Sequence, residues 1–153
     1  MKLTIRTEHD MQKTSKTLVK VQVASAVYDY FAAGILAIPV LADWHLRTNI
    51  NAAHTLFGAQ GSFPAFEPFH MLFVYMLGGF SIMWSTLRIF WKEQATLALC
   101  DGLLRLFFAL LMLAVMMIWD ATRALIPFMI SELAWSAVLI WAYFGHKRLA
   151  SSN

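Results

Sequence analysis

The sequence predicts an all-α integral membrane fold, an antiparallel up-down bundle of four transmembrane helices with both termini on the cytoplasmic side. Three observations predict it. Of 153 residues, 59% are hydrophobic and 14% charged, with a mean hydropathy of +0.60, whereas a soluble domain carries about 45–50% apolar and about 25% charged residues. Four apolar stretches of at least about twenty residues remain once the polar punctuation is removed, each long enough to cross a hydrocarbon core of roughly 30 Å. The basic residues are also distributed asymmetrically about those stretches. So apolar a composition excludes intrinsic disorder, and the length leaves room for one domain only.

Residues 1–20 read as a basic cytoplasmic arm. Its charges alternate with Ser and Thr, without the aromatic interleaving or fold signature of a nucleic-acid binder. Attraction to anionic headgroups accounts for it better. The membrane domain then occupies residues 21–148, with spans at about 21–44, 66–91, 95–119 and 124–145, and residues 149–153 form a short tail. The first span is too long for a signal sequence, carries Asp29 and lacks a small-residue cleavage site after it, so it is a retained helix kinked at Pro39. None of the four stretches alternates with a period of two, and lipid leaves backbone groups no outside partner, so all are expected to be helical.

Of the twelve Lys and Arg, nine fall on the N-terminal side of the membrane under this reading: Lys2, Arg6, Lys13, Lys16, Lys20, Arg88, Lys92, Lys147 and Arg148. Arg47 and Arg123 fall opposite. The positive-inside rule then places both termini in the cytoplasm of a bacterial inner membrane. Trp44, Trp91 and Trp119 stand at span ends, where amphipathic rings favour the interface. The connections at 92–94 and 120–123 are short, which makes sequential spans antiparallel neighbours. The outer loop, residues 45–63, is longer. Its segment Asn51-Ala-Ala-His-Thr-Leu-Phe57 suits a short helix on the membrane face, ended by Gly58. The lone Cys100 excludes an internal disulfide and reads as a small packing residue.

Charged groups inside a bilayer are costly and turn towards the bundle interior. Asp101 and Arg105 stand one turn apart on one face of span three. Glu67 and His70 begin span two, and their face continues through Val74, Gly78, Ser81 and Ser85, a small and polar seam suited to close helix approach. Asp29 lies in span one. Glu132 lies in span four, with Trp135 and Ser136 about one turn on. Depths estimated from the helical rise bring Asp29, Asp101 and Arg105 together in the inner half of the membrane, and Glu132, His70 and Glu67 in the outer half. Arg105 is long enough to reach Glu132.

A buried site for a lipophilic small molecule follows as the expected function, with the lipid bilayer as the other partner. Glu132, His70 and Arg105 would carry any acid/base chemistry, and Asp29, Asp101, Glu67, Ser136 and Trp135 would line the site. Such an isomerase- or cyclase-type reaction needs no cofactor. A nucleophile paired with a base is missing, which argues against hydrolysis through a covalent intermediate. A proton-coupled transporter is the first alternative, acting as a homodimer because four helices are few. A non-enzymatic accessory or immunity subunit of a larger membrane complex is the second, and in it the same charges are structural ion pairs. His45, His54 and His70 are the candidate metal ligands on the outer face, but their spacing matches no compact motif. The chain is similar to small bacterial four-helix membrane proteins in length and span count alone, a likeness that carries no residue role.

Overall fold

The computed structural model describes residues 15–57, 66–118 and 123–151. Most of the basic arm, the end of the outer loop with Gly58, Trp119 and most of the 120–123 connection lie outside the described residues. Every regular element among the described residues is a helix: α1 (Lys16–Ala32), α2 (Pro39–His45), α3 (Asn51–Leu56), α4 (Pro68–Phe90), α5 (Ala95–Ile118) and α6 (Ile126–Ser151). A short 3-10 turn, Arg123–Leu125, leads into α6.

Three helical stretches are long and apolar enough to cross a membrane: Pro68–Phe90, Ala95–Ile118 and Arg123–Ser151. Burial is distributed as a membrane protein requires. Large apolar side chains such as Phe31, Phe69, Phe90, Met117 and Trp141 are exposed, whereas the buried residues are mostly Ala, Ser and charged groups. Water would penalise that exterior, and hydrocarbon does not.

The first apolar stretch departs from the expected continuous helix over 21–44. Helix α1 starts earlier, at Lys16, with Ser15 Oγ accepting from the Leu18 N–H. It ends at Ala32. A 3-10 turn, Gly34–Ala37, follows, and Ile38 is extended (φ −103°, ψ 110°) before Pro39 restarts the helix. Proline lacks an N–H and disfavours helical backbone in the residue before it, so the break falls where the sequence expected a kink. Packing enforces it. A Cβ on Gly78 of α4 would lie 2.1 Å from the backbone nitrogen of Ala37, so only glycine lets the two backbones meet there. From Pro39 the chain stays helical through a π-turn, Leu46–Ile50, into α3, which packs on the turn before α6.

Contact registers run in opposite senses for the principal pairs. Tyr30 of α1 meets Thr86 of α4, and Gly34 of the 3-10 turn meets Ile82 of α4. Between α5 and α6, Ser136 Oγ donates to the Gly102 carbonyl at 2.8 Å and Arg105 reaches Glu132. Between α1 and α6, the Ser15 N–H donates to His146 Nδ1, and the Tyr28 and Trp135 rings meet at a tilt of 44°. Helix α6 runs past the expected end at Gly145 as far as Ser151. His146, Lys147 and Arg148 suit the negative end of a helix and extend it.

Candidate functional site

One ionic cluster joins all four long helices. Helix α1 contributes Ser25 and Asp29, one turn apart on its buried face. Helix α5 contributes Asp101 and Arg105, also one turn apart. Helix α4 contributes Ser85 and Arg88, and α6 contributes Glu132. Asp101 accepts from Trp84 Nε1 (2.8 Å), Arg88 Nη1 (2.5 Å) and Arg105 Nε (3.2 Å). Asp29 Oδ2 pairs with Nη2 of both Arg88 and Arg105. Arg105 Nη1 spans both carboxylate oxygens of Glu132, at 3.0 and 3.2 Å. Ser25 Oγ accepts from Arg88 Nη1 (2.9 Å) and Arg105 Nη2 (3.1 Å), and Arg88 Nη2 also donates to Ser85 Oγ.

The planar guanidinium explains the choice of arginine. Its donors leave one group in several fixed directions, so each Arg reaches four acceptor residues at once, which a lysine ammonium does less well. The network is enclosed at its centre and opens at one edge. The Arg88 side chain is fully buried and Asp101 is 2% exposed, whereas Glu132 is 19% exposed. With all five groups ionised, three carboxylates face two guanidiniums, an excess of one negative charge.

The expected interior charges are brought together in part. Asp29, Asp101, Arg105 and Glu132 meet. Trp135 pairs instead with Tyr28, the ring centroids 5.6 Å apart. The Ser136 hydroxyl donates to the Gly102 carbonyl, where it holds α6 against α5. Glu67 and His70 are also elsewhere, both exposed at the start of α4. Asp29 lies level with Ser81 of α4, whose hydroxyl donates to its carbonyl, and eleven residues of helix put His70 roughly 16 Å away along the axis. Glu67 occupies the N-cap position but its side chain makes no capping bond.

Of the expected metal candidates, His45 hydrogen bonds Asn49 at 3.1 Å, His54 is buried and His70 is exposed. No group of three potential metal ligands occurs among the described residues. Cys100 is exposed rather than packed inside.

Arg88 is the main residue that sequence reasoning missed. Its position beside Trp91 and Lys92 resembles a span end, which groups it with the topology-setting cations. A signal was present, because Ser81, Ser85 and Arg88 continue one helical face at spacings of four and three. Ser25 and Gln22 were missed in the same way, on the face of α1 that carries Asp29.

No protein-family model matches the chain, and neither a curated protein nor a solved structure matches it.

Proposed function

We propose that this chain is a multi-pass protein of a bacterial inner membrane, with four membrane segments, the first of them broken at residues 33–38, and both termini cytoplasmic. We further propose that its ionic cluster binds the polar end of a lipophilic small molecule at Glu132. The carrying observation is the charge count, three carboxylates to two guanidiniums, with Glu132 the least enclosed of the five. An uncompensated charge in hydrocarbon is unfavourable. A proton cancels it when the site is empty, and a cationic group on a ligand cancels it when the site is filled. Trp135, three residues after Glu132 on α6, and Tyr28, next to Asp29 on α1, pair their rings and supply aromatic faces that favour such a cation. Any acid/base step on the bound molecule falls to Glu132, with Arg105 as its charge partner, since His70 stands too far away.

Orientation rests on Lys2, Arg6, Lys13, Lys16, Lys20, Lys92, Lys147 and Arg148 on one side against Arg47 and Arg123 on the other. Removing Arg88 from that count leaves the positive-inside argument intact.

Tetraphenylphosphonium and tetraphenylborate have similar size and shape but opposite charge, and so test the reading directly. The purified protein in lipid nanodiscs is expected to bind the cation, with quenching of tryptophan fluorescence and release of a proton. Glu132→Gln is expected to weaken binding at least tenfold. Absence of binding, or equal affinity in the variant, refutes the proposal. A second reading, a structural subunit of a membrane complex, is favoured by the pairing of every carboxylate in the cluster. It predicts a folded Glu132→Gln protein that binds neither ion.

A further inference from the structure

Two buried side chains carry polar atoms that the ionic cluster leaves unused. Gln22 on α1 is fully buried, and its amide nitrogen and oxygen both lack a hydrogen-bond partner among the described residues. Arg88 is fully buried too, and its Nε is in the same position. The two are linked through Ser25. Leu18, Gln22, Ser25 and Asp29 follow one another at spacings of four, three and four along the buried face of α1. Gln22 thus stands one turn before Ser25, whose hydroxyl accepts from Nη1 of the same Arg88 guanidinium. The Nε that remains lies on the stem side of that group.

Polar atoms in apolar surroundings are paired in folded proteins, with protein or with an internal water. We infer that Gln22 and Arg88 Nε hold a buried water molecule, at the end of the bundle where α1 begins. The donor and acceptor inventory selects the occupant. Arg88 Nε and Gln22 Nε2 each require an acceptor, and Gln22 Oε1 requires a donor. An anion accepts but adds to the excess negative charge of the cluster. A metal cation accepts nothing and is repelled by the guanidinium. Water both donates and accepts, which meets all three requirements. The site is separate from Glu132 and does not depend on the ligand reading.

The test is nuclear magnetic resonance on the full-length, isotopically labelled protein in nanodiscs. The Gln22 side-chain amide is expected to show magnetisation transfer to water, as a long-lived internal water gives. Transfer only to other protein or lipid protons overturns the inference. Melting provides an independent readout. Gln22→Leu keeps the volume but removes two of the water's partners, and is expected to melt about 2–4 °C lower for a chain of this size. A melting temperature equal to or above that of the unsubstituted protein overturns the inference, because an apolar replacement of an unpaired amide is neutral or stabilising. If the variant does not fold, the amide spectrum of the unsubstituted protein decides alone.

Discussion

Arg88 and Arg105, from consecutive helices, close on the same oxygen, Oδ2 of Asp29. Asp29 thereby ties α1 to both α4 and α5, and the second reach of Arg105, to Glu132, adds α6. The bundle is held at its polar centre by two cations, each shared between helices.

Loss of Arg88, whose side chain is fully enclosed, is therefore expected to be costly. Arg88→Met leaves Asp29 and Asp101 facing one remaining guanidinium. Breaking a buried pair from one side costs about 3–5 kcal/mol. Arg88→Lys is expected to recover part of this, because an ammonium keeps the charge but not the fork. Reversible unfolding in bicelles measures both. Equal stability of Arg88→Met and the unsubstituted protein refutes the arrangement.

Gly78 and Gly79 are neighbours with opposite expectations. A Cβ at Gly78 would meet the backbone of Leu36 and Ala37 at 2.1–2.8 Å, whereas one at Gly79 meets nothing within 4 Å. Gly78→Ala must push the 3-10 turn off α4 and is expected to destabilise by more than about 2 kcal/mol, in the range of overpacked cores. Gly79→Ala is expected to be neutral or stabilising by up to about 1 kcal/mol from helix propensity. Melting temperatures of the pair decide the matter.

His45, outside the membrane segments, is held below its ordinary value near 6.5 by partial burial, which disfavours the imidazolium. The sign follows. A histidine whose folded value is lowered contributes stability above the unfolded value and loses it as the pH falls towards the folded value. The α2–α3 helix is expected to loosen on acidification below about pH 6.5. An imidazole titration followed by carbon-13 shifts should give a midpoint under 6.5. A midpoint above it contradicts the burial of this ring.

Topology is accessible to single-cysteine labelling in a Cys100→Ser background. Thr48 and Lys147 are both exposed. A membrane-impermeant maleimide is expected to label Thr48→Cys in spheroplasts and Lys147→Cys only after permeabilisation. The reverse pattern inverts the orientation proposed from the basic residues.

Composition and periodicity alone determined the helical class, the apolar segments and the short list of interior charges, because hydrophobic length and helical face are local properties of a chain. Asp29, Asp101, Arg105 and Glu132 could be named from those faces. Which residues share a level in the membrane is not local. It depends on how far each helix slides along its neighbours, and close backbone contacts set that: Gly78 on Ala37, and Ser136 on the Gly102 carbonyl. Those contacts carry Arg88 into the cluster, leave Glu67 and His70 outside it and break the first segment before Pro39. Tertiary packing decided the membership of the site, since axial register is a property of pairs of helices and no single helix encodes it.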